Sequence, residues 1–224
     1  MFFQHPFTCL VCGPTSSGKT SWVKQLLANH SLLIKGLKHS LKQNVRVLWF
    51  YGQEYSTTMC AKIDTCTMIY YRGSPKLNVL QTYKPDIVVI DDLMDEVGSD
   101  AFVSTLFTRG SHHGNMSIIF MTQNLFHRGT QMRNISLNAH YIVLMRNRRD
   151  QQQIGALGRQ LFPSGYKDFV KAYQDATREA YGYLLVDTSP TSMTETMLKT
   201  NIFPRMDEGK NKKYKLEPVV YVIN

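Results

Sequence analysis

Short apolar runs alternate along this chain with stretches whose apolar residues recur every three to four positions. The first pattern is typical of strands and the second of amphipathic helices. In the helical stretch 19–30, for example, Trp22, Val23, Leu26 and Leu27 fall on one face. Strands are predicted at 7–12, 45–51, 68–71, 87–90, 117–122, 141–145, 183–186 and 219–223, and helices at 19–30, 100–109, 150–162 and 166–177.

Most of the predicted strands are apolar throughout, which indicates strands that are buried on both faces. Strands that alternate with helices predict an α/β fold, with a mainly parallel sheet flanked by helices on both faces. A chain of 224 residues fits one such domain. We expect one domain over 1–224, with a core at about 7–162 and C-terminal helices, strands and a basic segment at 163–224. The segment 187–215 stays unassigned.

Between the first strand and the first helix lies a complete G-x-x-x-x-G-K-[ST] motif, the P-loop of nucleotide-binding proteins. Its backbone N–H groups can surround phosphates at a helix N-terminus. Its lysine can contact the β- and γ-phosphates of ATP, and its threonine hydroxyl can bind Mg²⁺. The sequence therefore predicts a P-loop ATPase of the ASCE/RecA-like class with ATP and Mg²⁺ as ligands. The motif residues are Gly13, Pro14, Thr15, Ser16, Ser17, Gly18, Lys19 and Thr20.

Two carboxylates, Asp91 and Asp92, follow the apolar strand at 87–90. In a parallel sheet this strand end would lie beside the P-loop, where ligands bind. We expect Asp91 to hold Mg²⁺, as a Walker B acid does, and Asp92 to orient or deprotonate the attacking water. The alternative is an exposed strand end that carries two acids.

Two further residues are candidates for the hydrolysis reaction. Gln123 follows the strand at 117–122 and could sense the γ-phosphate or the water, although an amide there is often only a turn residue. Arg109 ends a predicted helix and could complete a neighbouring subunit's site as an arginine finger. It could equally be a cation that favours the helix C-terminus.

Positive charge is concentrated in the second half of the chain. The net charge is +9, with 10 Lys and Arg against 8 Asp and Glu up to Thr108, and 16 against 9 from Arg109 onward. This excess favours a polyanionic partner such as DNA, or is a solvated basic surface. Arg146, Arg148 and Arg149 could contact DNA phosphates, act as a second finger or cover the nucleotide. A second candidate DNA contact is the basic run with Lys210, Lys212 and Lys213.

The four cysteines predict no disulfide framework at this length. Cys9 and Cys12 lie three apart on a strand and should face opposite sides of the sheet, so they cannot clamp one metal. No apolar run approaches ~18 residues, so no membrane span is expected. The start of the chain has no signal-peptide pattern. We expect an intracellular protein, in nucleus or cytoplasm.

The motifs at 13–20, 87–92 and 117–124 resemble those of the FtsK/HerA superfamily of DNA-pumping ATPases. The segment 133–144 is similar to the poxvirus-type genome-packaging ATPases, including those of Polinton/Maverick elements, adintoviruses and virophages. The resemblance covers about residues 7–162. It implies a homo-oligomeric ring around double-stranded DNA, delivery of a genome to a capsid or portal vertex, and Arg109 as the finger in trans. Many relatives carry Asp-Glu where this chain has Asp91-Asp92, which leaves open which acid activates water.

Three other functions fit parts of the sequence. A nucleotide or nucleoside kinase could use 146–149 as an arginine lid, although Asp91, Asp92 and Gln123 favour water as the acceptor. Another DNA-dependent ATPase, of the helicase or loader type, would carry the same motifs. A GTPase-like switch is disfavoured because the chain contains no N-K-x-D motif for guanine.

Overall fold

The computed structural model describes residues 2–37, 44–52, 62–91, 93, 101–107, 114–126, 130–206 and 214–223. Within these ranges the helices are α1 (Lys19–Ala28), α2 (His30–Leu33), α3 (Leu77–Tyr83), α4 (Ala101–Thr105), α5 (Thr130–Leu137), α6 (Gln151–Leu161) and α7 (Tyr166–Ala176). The strands are β1 (Phe3–Gln4), β2 (Thr8–Cys12), β3 (Ile34–Lys35), β4 (Val45–Tyr51), β5 (Cys66–Arg72), β6 (Ile87–Asp91), β7 (Ser117–Thr122), β8 (Tyr141–Met145), β9 (Tyr183–Asp187), β10 (Leu198–Thr200), β11 (Arg205–Met206), β12 (Tyr214–Lys215) and β13 (Val219–Tyr221).

A nine-stranded sheet runs through the described part of the protein in the order β13-β10-β9-β8-β2-β7-β6-β4-β5. The strands from β8 to β5 in this order pair in parallel. At the other side, β9, β10 and β13 add antiparallel pairs. The fold is therefore mixed α/β with a mostly parallel sheet, which confirms the predicted class.

Apolar side chains from both faces of the sheet pack against helices and loops. Leu10, on β2, belongs to the core on one face, and Val11 belongs to the core on the other, which also contains Trp22 of α1. All five residues of β2, β6 and β8 are buried. Burial on both faces explains why these strands lack a polar alternation.

Cys9 and Cys12 pack into the cores on opposite faces of the sheet, as predicted from their spacing. Both are fully buried, and burial raises the pKa of the Cys9 and Cys12 thiols well above the usual value. These thiols therefore stay protonated at neutral pH. A protonated thiol is a poor metal ligand and a poor nucleophile.

The elements that were not predicted from the sequence include the helices α3 and α5 and several short strands, of which β10 is an example. α3 buries only Val79 and Leu80, and the described apolar contacts of α5 come from Met132 and Ile135. Two buried residues give too little periodicity to identify a helix. β10 has three residues and lies in the unassigned segment 187–215. It forms between β9 and β13, so its conformation depends on pairing partners that are distant in sequence.

The described helices include none long and apolar enough to cross a bilayer. The predicted residues Asp92, Arg109, Lys210, Lys212 and Lys213 lie outside the described ranges, and their roles stay predictions.

Candidate nucleotide-binding site

The loop from Gly13 to Gly18 joins the end of β2 to the start of α1, as the motif predicts. Gly13 N donates a hydrogen bond to the Thr122 carbonyl of β7 over 3.1 Å, which attaches the start of the loop to the sheet. Gly18 has φ 100° and Ser16 has φ 62°, so the chain turns through left-handed conformations before the helix begins. Such a turn lets successive N–H groups point towards a bound anion.

The ammonium group of Lys19 lies against this loop. Its Nζ donates to the Gly13 carbonyl over 2.6 Å and to the Pro14 carbonyl over 3.1 Å. The positive charge is thus held at the phosphate-binding loop itself. Ser17 Oγ is buried and has no hydrogen-bond partner among the described residues. A buried hydroxyl without a partner is costly, so a ligand oxygen in the loop would satisfy it.

The backbone position of Gly13 admits no side chain. A Cβ atom built there would lie 2.6 Å from Met145 Cβ, at the end of β8, and 2.7 Å from Ser17 Oγ. Met145 Cβ is attached directly to the β8 backbone and cannot swing away. Gly13 therefore allows the P-loop to approach β8 closely.

We expect Gly13→Ala to lower the free energy of unfolding by about 1–3 kcal/mol, because the added methyl group overpacks the loop against β8. ATP affinity should fall with it, since the loop must shift. Thermal melting and calorimetric ATP titration measure the two effects. Gly155→Ala in α6 is the matched control, because its Cβ would meet only the flexible end of Arg159 at 3.7 Å. It should gain about 0.5–1 kcal/mol from helix propensity. Equal melting temperatures for the two variants would contradict the packing argument.

The strand order places the acidic strand end near the P-loop. β7 lies between β2, which leads into the P-loop, and β6, which ends at Asp91. In the register, Asp91 pairs with Met121 of β7, while Cys12 pairs with Thr122. Asp91 and the start of the loop are thus two strand spacings apart, roughly 10 Å, on the same edge.

Asp91 is buried, with 4% of its surface exposed. Its Oδ2 accepts a hydrogen bond from the indole Nε1 of Trp49 over 3.3 Å, which helps to orient the carboxylate from the neighbouring strand β4. A buried carboxylate and a hydroxyl are the oxygen ligands that Mg²⁺ prefers. Asp91 and Thr20, in the first turn of α1, therefore fit a magnesium site with bound phosphates. The described residues contain no separate group of three His, Cys, Asp or Glu that could hold a metal.

Gln123 lines the same cleft as the P-loop. The cleft has a volume of about 680 Å³, within the range of small-ligand sites. It is lined by Pro14, Thr15, Ser16, Ser17, Gln123, Arg146, Asn147, Arg148, Arg149, Ala180 and Tyr181. The structure thus brings together the P-loop, the predicted sensor and the arginine cluster.

Hydrogen bonds hold the arginine cluster in place after β8. Asn147 N donates to the Tyr173 hydroxyl of α7 over 2.8 Å, and that hydroxyl donates to the Met145 carbonyl over 3.1 Å. Asn147 Oδ1 in turn accepts from the backbone N of Arg149 over 3.0 Å. Arg148 and Arg149 are exposed, and together with Arg146 they line the P-loop cleft.

Two residues at this site were missed in the sequence. Gln153, in α6, accepts through Oε1 from Leu125 N over 2.8 Å and from Phe126 N over 3.3 Å, which fixes the loop after Gln123. Tyr181 lies in the turn between α7 and β9 and contacts the P-loop. Neither residue belongs to a motif, because both reach the site only through chain folding.

No family model and no curated protein sequence matches this chain. Among solved structures, B204, the DNA-packaging ATPase from Sulfolobus Turreted Icosahedral Virus, is similar with a TM-score of 0.51 and 11% identity, over 82% of this chain and 94% of that chain. The genome packaging NTPase B204 from Sulfolobus turreted icosahedral virus 2, in complex with ATP-gammaS, has a TM-score of 0.50 and 11% identity, over 81% of this chain and 92% of that chain. The Legionella pneumophila ATPase DotB has a TM-score of only 0.39 and 10% identity, over 79% of this chain and 54% of that chain. This likeness is too weak to support a conclusion. At these identities the likeness shows the fold alone: this chain has the α/β fold of P-loop ATPases.

Proposed function

We propose that this protein hydrolyses ATP to drive double-stranded DNA into the capsid of a virus or virus-like element. The observation that supports the hydrolysis step is the strand order: β7, which precedes Gln123, lies between β2, which leads into the P-loop, and β6, which ends at the buried Asp91. Support for DNA packaging comes from the fold shared with B204, a DNA-packaging ATPase. The basic second half of the chain fits a polyanionic cargo.

In this function the P-loop N–H groups and Lys19 bind the phosphates of ATP and offset their charge. Thr20 and Asp91 would hold Mg²⁺, which neutralises charge on the β- and γ-phosphate oxygens when it is bound. Asp92 takes the proton from the water that attacks the γ-phosphorus, and ADP leaves as the bond to its β-phosphate oxygen breaks. Gln123 orients that water or reports the γ-phosphate.

The finer proposal is a poxvirus-type packaging ATPase, related to those of Polinton/Maverick elements, adintoviruses and virophages. In it the subunits form a ring around DNA at a capsid or portal vertex. Arg109 would enter the neighbouring subunit's site, which makes the ring the unit of hydrolysis. Such a protein would work inside the host cell and reach the virion only during packaging.

The arginine cluster has two proposed ligands. Its position around the P-loop cleft favours contact between Arg146, Arg148 or Arg149 and the nucleotide phosphates. Contact with DNA remains a proposal for these residues and for Lys210, Lys212 and Lys213. The two ligands are separable by experiment, because DNA contacts change the salt dependence of DNA binding.

A nucleotide or nucleoside kinase is the second candidate. The observation that favours it is the same cluster, since three arginines beside a P-loop could shield a transferred phosphoryl group from water. A kinase would form a phosphorylated nucleoside product, whereas the packaging ATPase would release inorganic phosphate. A helicase or loader would also release phosphate, but it would not fill capsids.

We expect ATP hydrolysis to release inorganic phosphate and to rise several-fold when double-stranded DNA is added. DNA affinity should be independent of sequence and should fall steeply with salt, because phosphate neutralisation releases counterions. Phosphate assays with and without DNA, together with DNA titrations at several salt concentrations, measure both effects. A phosphorylated nucleoside product would refute the packaging function. It would also be refuted if the hydrolysis rate did not change when DNA is added and DNA affinity did not change with salt concentration.

The double variant Arg148→Glu, Arg149→Glu shows in the same experiment whether the arginine cluster contacts DNA or nucleotide. If both arginines contact DNA, the slope of log DNA affinity against log salt concentration should fall by about two. If they contact the nucleotide instead, this slope should stay the same and ATP affinity should fall. The matched control is Lys167→Glu, Lys171→Glu, an equal charge change at exposed positions of α7. An equal effect from both double variants would point to net charge alone.

A further inference from the structure

An exposed tyrosine stands directly beside the phosphate-binding loop. Tyr181 has 68% of its surface exposed and lines the same cleft as the P-loop. A Cβ atom built on Gly18 would lie 3.0 Å from Tyr181 Cδ1 and 3.5 Å from Tyr181 Cβ. Tyr181 itself has φ 60°, a left-handed conformation that costs free energy for a residue other than glycine. The fold therefore holds a large aromatic side chain against the nucleotide motif in a strained, solvent-facing position.

The turn that carries Tyr181 is attached on both sides. Arg178 N donates to the Asp175 carbonyl of α7 over 3.1 Å, and the Gly182 carbonyl accepts from Arg146 N over 3.1 Å. A Cβ on Gly182 would lie 2.6 Å from the Ala176 carbonyl oxygen, so only glycine fits there. The turn is thus tied both to the end of α7 and to the arginine loop after β8. These bonds hold the backbone of Tyr181 beside the P-loop cleft.

Tyr181 also separates two clefts. It is the only aromatic residue among the described residues that line the P-loop cleft. On its other side lies a second cleft of about 550 Å³, whose lining includes Gln25 of α1, Asn201 and Phe203. A nucleotide with its phosphates on the P-loop extends its ribose and base away from the loop by several ångströms. Tyr181 lines both clefts, so an extension from the P-loop cleft into the second cleft would pass this residue.

We propose that Tyr181 is the platform on which the nucleobase of the bound nucleotide stacks. The proposal rests on the proposed ATPase function, because it takes the phosphates to lie on the P-loop. Stacking on an aromatic face contributes to affinity without reading the hydrogen-bonding edge of the base. Tyr181 therefore binds purine nucleotides in preference to pyrimidine nucleotides, because a purine offers the larger face. Tyr181 does not itself choose between adenine and guanine.

The test compares ATP with inorganic tripolyphosphate, which has the phosphates but no base. Tyr181→Asn removes the ring and keeps a residue that tolerates positive φ, and Tyr181→Phe keeps the ring and removes the hydroxyl. Binding is measured by calorimetry on the full chain. We expect Tyr181→Asn to weaken ATP binding about tenfold and to leave tripolyphosphate affinity within twofold. Tyr181→Phe should stay within twofold of the natural protein for both ligands, and CTP should bind the natural protein more weakly than ATP.

The outcomes separate this proposal from the proposed function. If Tyr181→Asn binds ATP as tightly as the natural protein, or loses ATP and tripolyphosphate affinity equally, the platform is refuted while P-loop binding stands. If Tyr181→Phe weakens ATP binding as much as Tyr181→Asn does, the hydroxyl rather than the ring is responsible, and the platform is again refuted. A natural protein that binds neither ATP nor tripolyphosphate would instead refute the ATPase function.

Discussion

Lys19→Ala should lose ATP binding, with an affinity at least about 100-fold below that of the natural protein. The expected loss corresponds to ~2.7 kcal/mol, within reach of a charge-assisted contact to two phosphates. The Lys19 ammonium is held at the loop by the Gly13 and Pro14 carbonyls, so its removal deletes a charge that is already in place. Calorimetric titration with ATP in the presence of Mg²⁺ measures the loss.

Lys24→Ala is the matched control, because Lys24 lies on the same helix but beyond Thr20, the last residue of the P-loop motif. It removes the same charge and should keep ATP affinity within about twofold, because the charge of Lys24 lies outside the P-loop motif. The melting temperatures of both variants show whether each is folded. A folded Lys19→Ala protein that binds ATP as tightly as the natural protein would contradict the proposal that the P-loop binds the phosphates of ATP.

Arg109→Ala and Asp92→Asn proteins should each be nearly inactive alone and should regain activity when they are mixed. A finger supplied in trans contributes ~10³–10⁵ in rate where it has been measured, so loss of Arg109 should be of that order. Asp92→Asn removes the proton acceptor but still presents Arg109 to a neighbour. At mixed interfaces an intact site meets an intact finger. ATP hydrolysis across mixing ratios, and at several protein concentrations, measures the rescue.

The controls are each variant alone at the same total concentration. The natural protein should also gain specific activity with concentration as subunits assemble. If Arg109 acts within its own chain, every subunit in the mixture carries one defect and no ratio restores activity. Flat specific activity across a wide dilution series, with no rescue, would make the monomer the working unit and contradict the ring.

The motifs and most of the central sheet were predictable because their signals are local. Gly13–Thr20 follows a strand and opens a helix in the structure as in the sequence. The strands at 45–51, 117–122 and 141–145 have the predicted bounds, since an apolar run with polar flanks marks both ends of a buried strand. The helix predicted at 19–30 ends instead at Ala28, because Asn29 leaves helical geometry and α2 starts at His30.

Two kinds of element were not predictable from the sequence: those that bury few residues, and strands that form only by pairing with other strands that are distant in the chain. α3 is an example of the first, with two buried side chains in seven residues. β10 is an example of the second, since its three residues pair with β9 and with β13. A strand of that length carries no periodicity of its own. Gln153 was missed for a related reason, because its role is to accept hydrogen bonds from a loop 27 and 28 residues earlier.

The sequence by itself determined the nucleotide motif, the acidic strand end and the α/β class, because each depends on residues that are neighbours in the chain. The tertiary structure decided which strand lies between the P-loop and Asp91, and that Arg146, Arg148 and Arg149 border the nucleotide cleft. It also decided that Tyr181 stands against Gly18. Strand order and turn placement depend on which distant surfaces pack together, and no local pattern of side chains encodes that choice.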